Sequence, residues 1–219
     1  MISMNTLVFY LKRIHAAIIR KILWIKLQTA GYKSMKKLDM ILQKDNITYW
    51  ITSGTLLGAY RENRFIKSDL DIDLAIHSND LHKLIEFTKV HNITIRGVTK
   101  INGEISELSF FYGGIKYDIF LAYKSGDNEY ISVCWDKQNS GGKRLNVARM
   151  FFPKVTETQR IKLNGIHVSA PKDIDKYLKI NYGENYMDPD PNWRFFKDLK
   201  PPALYYDVNE LYGYYDDKL

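Results

Sequence analysis

Apolar residues along the first thirty positions recur at steps of three and four. Leu7, Leu11, Ile14, Ile18, Ile22 and Ile25 form one stripe, as an amphipathic helix requires. A second apolar set, Phe9, Ala16, Leu23 and Leu27, falls on roughly the opposite side, and Gly31 is expected to end the helix. A second helix is predicted over about Lys33 to Gln43. The period then changes. Ile47 to Ile51 reads as an apolar strand, Thr52-Ser53-Gly54-Thr55 as a turn, and Leu56 to Glu62 as a short helix. The next segment, carrying Asp69, Asp71 and Asp73, reads as a second strand. Ser78-Asn79-Asp80 signals an N-cap for a helix to about Val90. Strand-like runs follow at Ile93 to Ile101, Ile105 to Tyr112, Ile115 to Tyr123 and Glu129 to Trp135, with a hairpin turn at Gly113-Gly114. Residues 136–146 read as a Gly-rich loop, a strand pair is centred on Asn164-Gly165, and a helix runs from Asp173 to about Ile180. The tail has five tyrosines from Tyr205 to Tyr215 and either straps the domain or stays loose.

Charge decides how to read the first helix. Lys12, Arg13, Arg20, Lys21 and Lys26 interrupt every apolar run well short of the ~20 residues a membrane span needs, and the stretch does not resemble a signal peptide. Two apolar sides fit a helix buried between the domain and a second copy of the chain. They also fit peripheral contact of residues 5–27 with an anionic membrane. The 219 residues carry 32 Lys and Arg against 25 Asp and Glu, a formal +7 that suits an anionic partner. No zinc-finger or RNA-recognition pattern is present, so nucleic acid is not the expected partner. Cys134 is the one cysteine, which excludes an internal disulfide and points to a reducing, cytoplasmic setting, with any membrane contact at the inner face.

Candidate chemistry gathers at residues 47–76. Asp-x-Asp in an extended chain throws Asp71 and Asp73 onto one face, away from Leu70, Ile72 and Leu74. Side-by-side carboxylates repel, and a divalent cation such as Mg2+ (or Mn2+) holds such a pair while sharing phosphate oxygens of a substrate. Upstream, Ser53-Gly54-Thr55 opens a helix whose free N–H groups favour a phosphate, and Arg61 adds a permanent cation about two turns on. In IKYDIFLAY, alternation sets Asp118 on the face opposite Ile115, Tyr117, Ile119 and Leu121; beside the Asp-x-Asp strand it would complete a three-carboxylate site. Lys143 and Arg144, in the Gly-rich loop, are placed to close over a phosphate.

GTLLGAYR followed by FIKSDLDIDLAI closely resembles the LicD/fukutin family, with one departure at Lys67-Ser68, where that family usually carries Pro-Trp. The Pro171 segment, its following helix and Tyr182-Gly183 extend the likeness from about Lys36 to Trp193. The resemblance implies an α+β fold, a nucleotidyltransferase-like mixed sheet flanked by helices, with the N-terminal amphipathic helix added. It divides the chain into the helix at 1–31, a catalytic domain at 32–198 and a Tyr/Asp-rich tail at 199–219. It implies Asp71 and Asp73 as metal ligands with Asp69 beside them, and Gly54, Thr55 and Arg61 lining donor phosphates. The implied activity is metal-dependent transfer of a phosphocholine or phospho-polyol group from a CDP-activated donor to a cell-surface glycan acceptor such as lipopolysaccharide or capsule. Two alternatives stand beside it: nucleotidyl transfer to a small molecule, protein or RNA, and a non-catalytic glycan-assembly scaffold. A homo-oligomer is compatible with either.

Overall fold

The computed structural model describes residues 4–136, 145–190, 204–206 and 213–216. One helix, α1 (Met4–Lys44), precedes β1 (Tyr49–Ile51), α2 (Ser53–Glu62), β2 (Ile72–His77) and α3 (Leu81–Val90). Then come β3 (Ile95–Ile101), β4 (Glu104–Tyr112), β5 (Ile115–Ser125), β6 (Asn128–Asp136), β7 (Leu145–Pro153), β8 (Thr158–Leu163) and β9 (Ile166–Pro171). The chain ends with α4 (Ile174–Tyr182), β10 (Leu204–Tyr206) and β11 (Gly213–Asp216). This is the expected α+β architecture. The main sheet runs β1-β2-β5-β4-β3-β11-β7-β10, with β6 joining β5 to β7; β8 and β9 form a separate hairpin. The sheet is mixed because β2 and β5 run parallel while the other pairs are antiparallel. The connection from β2 to β5 runs through α3 and the β3-β4 hairpin.

Alternation in β5 separates two environments. Ile115, Tyr117, Ile119 and Leu121 are buried beneath α1, where Ser34 Oγ bonds the Tyr117 hydroxyl at 2.8 Å and donates to the Tyr112 carbonyl. Their neighbours Lys116, Asp118 and Phe120 face the other side. On that second face α4 packs against β7 and α2. The Tyr177 hydroxyl there meets Trp50 Nε1 and Thr52 Oγ1, each at 3.2 Å, and the Tyr177 ring stacks on Phe152.

Three expectations are corrected. Gly31 does not end the first helix, which is continuous from Met4 to Lys44. The glycine instead admits a neighbour: a Cβ there would lie 2.8 Å from Phe65 Cε2 and 3.0 Å from Leu27 Cδ1. Helix α2 begins at Ser53 rather than Leu56, with Ser53 at φ 49°, so the helix starts from a left-handed residue. Finally, β2 begins at Ile72, so Asp69 and Asp71 precede the strand and only Asp73 lies within it. The tail straps the sheet: β10 pairs with β7, and β11 with β3 and β7.

Helix α1 also braces the loop that carries these acids. Trp24 Nε1 donates to the Lys67 carbonyl at 2.7 Å, and the Tyr32 and Phe65 rings stack at 4.6 Å. At its C-terminal end, Asp39 accepts two bonds of 2.7 Å from Arg160 and one from the Tyr49 hydroxyl, tying α1 to β1 and β8. Burial alone would raise the Asp39 carboxyl, but the bonds from Arg160, Tyr49 and Gln43 outweigh it and hold the group below its ordinary value.

Candidate functional site

Parallel pairing of β2 with β5 sets Asp73 beside Asp118 in register. Asp71, two residues before Asp73, turns into the same space, and one carboxylate oxygen from each of the three lies within 4.8 Å of the others. The positions come from backbone ties. The Thr52 amide donates to the Asp73 carbonyl at 3.1 Å, and the Asp73 amide donates to Thr55 Oγ1 at 2.9 Å, so the first turn of α2 is latched to the strand start. Thr55 is fully buried and serves as that latch, a positioning residue for Asp73.

The acids are electrostatically crowded. Burial raises Asp73 well above its ordinary value, and the charges of Asp71, Asp118 and Asp69 add to the shift. Burial pushes Asp69 up to about 7, with Asp71 adding and Arg61 opposing. Asp118 rises to about 6 by burial, pulled back by Lys116 and pushed on by Asp71. Two carboxylate oxygens here, Asp69 Oδ2 and Asp118 Oδ1, are buried without a hydrogen-bond partner. An unsatisfied buried carboxylate oxygen is costly unless something cationic completes its environment. A cluster of oxygen donors of this kind fits a hard divalent ion, with Asp71, Asp73 and Asp118 as its holders and Asp69 alongside.

Sequence reasoning missed two members. Lys116, one alternation before Asp118, donates to Asp118 Oδ2 at 2.6 Å and to Asp71 Oδ2 at 3.1 Å. Burial acts to lower its pKa, but Asp118 and Asp71 prevail and raise it. Glu107, on β4, is driven up to about 8 by burial and by Asp118. Both lie on the same face as Asp118 by strand alternation across the β4-β5 hairpin, where Ser109 pairs with Asp118 and Glu107 with Phe120. That alternation was the available signal. Tyr182 closes α4 near the same acids: burial, then the charges of Asp73 and Asp69, raise its hydroxyl.

The proposed phosphate-binding turn is adjacent. A Cβ on Gly54 would lie 2.7 Å from Asp69 Oδ2, so only glycine admits that carboxylate against the start of α2. Ser53 and Gly54 are partly exposed at the N-terminal turn. Arg61 is held by Glu62 through Nε and Nη2 (3.2 and 2.8 Å) and by the Tyr186 carbonyl through Nη1 (3.3 Å), while its charge reaches Asp69. Lys143 and Arg144 lie outside the described residues.

A model of the LicD/FKTN/FKRP nucleotidyltransferase domain matches residues 46–173, more than half of the chain and the whole acid cluster. The chain belongs to the LicD/FKTN/FKRP family. Among curated relatives, ribitol-5-phosphate transferase FKTN of Homo sapiens is 28% identical over 173 residues, covering 74% of this chain. The match takes in 35% of that protein, so the chain corresponds to about a third of its length. An uncharacterised protein of Rickettsia typhi is 48% identical over 158 residues, covering 70% of this chain and 45% of the relative. Among solved structures, the solution structure of the antibiotic-resistance factor ANT(2'')-Ia superposes with a TM-score of 0.45 at 15% identity, covering 76% of this chain and 78% of that one. The matched residues run from β1 through β9 and include α2 and α3.

Proposed function

We propose that this LicD/FKTN/FKRP-family chain transfers a phospho-substituent, phosphocholine or a phospho-polyol, from a CDP-activated donor to a hydroxyl of a cell-surface glycan. The observation that carries this reading is the convergence of Asp71, Asp73 and Asp118 within 4.8 Å beside the N-terminal turn of α2. The relationship to FKTN, a ribitol-5-phosphate transferase, supports the type of group moved.

Mg2+ or Mn2+ bound by the three aspartates supplies charge neutralisation for the donor pyrophosphate and the departing CMP. The unpaired N–H groups of the first α2 turn, at Ser53 and Gly54, receive phosphate oxygens, and Arg61 adds positive potential along the same side. The acceptor oxygen attacks the distal phosphorus in line, its bond to phosphorus forms as the bond to the CMP oxygen breaks, and its proton passes to bulk water. Lys116 holds Asp118 Oδ2 and so would leave Oδ1, which has no hydrogen-bond partner, to the ion.

The nucleotidyltransferase domain favours one alternative, attack at the alpha phosphorus with release of pyrophosphate. Incubation with CDP-ribitol, CDP-glycerol, CDP-choline and nucleoside triphosphates separates the two. The proposal expects CMP from a CDP-linked donor, abolished by EDTA and restored by Mn2+; pyrophosphate from a triphosphate as the sole product would overturn it.

A further inference from the structure

Helix α1 has two unlike halves. From Leu27 onward, Leu27, Gly31, Met35, Leu38 and Leu42 recur at steps of three and four and are buried against the domain. Every side chain described between Val8 and Ile22 is exposed. On this projecting half, Leu11, Ile14, Ile18, Ile22 and Ile25 are 56, 56, 53, 47 and 44% exposed, values far above those of aliphatic side chains that have found a partner. At 100° per residue they form one stripe on the side of the helix opposite the buried line, about 21 Å long at 1.5 Å per residue.

The charges are arranged around that stripe. Arg13 and Arg20 lie on the opposite side, Lys21 and Lys26 flank the stripe, and the exposed Lys33, Lys36 and Lys37 continue its face toward the domain. Residues 1–38 contain eight Lys and Arg and no Asp or Glu. A second copy docked through the same stripe would set lysine edge against lysine edge with no acid to pair them. No helix among the described residues is long and apolar enough to cross a membrane.

We propose that the projecting half of α1 lies on the surface of an anionic phospholipid bilayer. The Leu11–Ile25 stripe enters the boundary between headgroups and acyl chains, and the lysines at its edges and below it meet lipid phosphates. The inference does not depend on the transferase reading.

Sedimentation of the full chain with vesicles tests it. The protein is expected to pellet with phosphatidylcholine mixed with phosphatidylglycerol, to remain in solution with phosphatidylcholine alone, and to be released by high salt. Ile14→Glu combined with Ile18→Glu abolishes pelleting, and Lys21→Ala combined with Lys26→Ala weakens it by about tenfold or more, since each basic residue near an anionic surface contributes roughly fivefold. Both pairs are exposed, so their thermal unfolding should match wild type, and Asp73→Ala should pellet as wild type does. Failure to pellet with anionic vesicles would overturn the proposal, as would undiminished pelleting of the double glutamate variant. A dimer in sedimentation velocity that the glutamates split, with vesicle binding unchanged, would make a second copy the occupant instead.

Discussion

Asp73 on β2 sits directly beside Asp118 on β5, register partners in the one parallel strand pair of the main sheet among the described residues. Two acids placed shoulder to shoulder, Asp118 buried and Asp73 half-buried, oppose folding, because the charge of each raises the other's cost. Asp73→Asn keeps the volume and removes one charge. It is expected to raise the melting temperature of the metal-free protein by about 2–4 °C, the shift that roughly 1 kcal/mol produces at this size. The same variant should lose turnover by at least about a hundredfold. Differential scanning calorimetry beside a CMP-release assay checks both; a variant that is both less stable and active would contradict the assignment.

Lys116 acts as an internal counter-ion, bonded to Asp118 at 2.6 Å and to Asp71 at 3.1 Å. Lys116→Met leaves these carboxylates facing one another, and is expected to cost about 1–3 kcal/mol in the metal-free protein, the range for a partly buried charge-assisted pair. Added Mn2+ should then raise the melting temperature of the variant more than that of wild type, because the ion replaces a missing positive charge. Equal shifts in the two proteins would show that Lys116 and the ion do not share the same carboxylates.

Gly54 is where the α2 turn and Asp69 touch. Gly54→Ala puts a methyl 2.7 Å from Asp69 Oδ2 and 3.2 Å from its Cγ, so the carboxylate has to swing away. Overpacking of this kind costs about 1–3 kcal/mol. Asp69→Ala in the same chain should recover most of that loss, a coupling that a double-mutant cycle in urea reads directly. Additive losses would place the strain elsewhere.

A structural pH dependence comes from the far end of β2. His77 Nδ1 lies 2.6 Å from Glu129 Oε1, and Glu129 is almost wholly buried, its Oε2 accepting from the Val155 amide. The Glu129 hydrogen bond is the largest influence on His77 and raises its pKa above the ordinary 6.5, against the opposing pull of burial. A histidine raised in the folded state contributes stability that is complete below its unfolded value and is lost as pH rises through its folded one. The gap in unfolding free energy between wild type and Glu129→Gln should therefore be widest below pH 6.5 and shrink above it. Urea titrations on both sides of that value measure it, and a gap that grows with pH would contradict the pairing.

Much of the site was legible because alternation in a half-buried strand is a strong constraint. Burial of Ile115, Tyr117, Ile119 and Leu121 left Asp118 nowhere but the opposite face, and the same rule applied to Lys116 would have found the counter-ion. Glu107 required the register of β4 on β5, which the Gly113-Gly114 turn suggests but does not number. Asp69 and Asp71 were placed beside Asp73 for an incomplete reason, since they precede the strand and are held by a loop that α1 braces through Trp24 and Tyr32. Gly31 misled because glycine after an apolar run commonly ends a helix; here close approach of Phe65, 2.8 Å from where a Cβ would stand, accounts for it. Local sequence carries no information about a partner more than thirty residues away.

Asp71, Asp73 and Asp118 each bring a carboxylate oxygen within 4.8 Å of the others, and the proposed function needs them to hold one divalent ion together. Titration of the full chain with Mn2+, followed by the loss of the free-ion paramagnetic resonance signal, tests it most directly. Wild type is expected to take up Mn2+ more tightly in the presence of a CDP-linked donor, with Asp73→Ala and Asp118→Ala weakening uptake at least about tenfold, the usual effect of losing part of a metal shell. Wild-type protein that leaves the Mn2+ signal unchanged with and without donor, or alanine variants that bind as well as it does, would contradict the account.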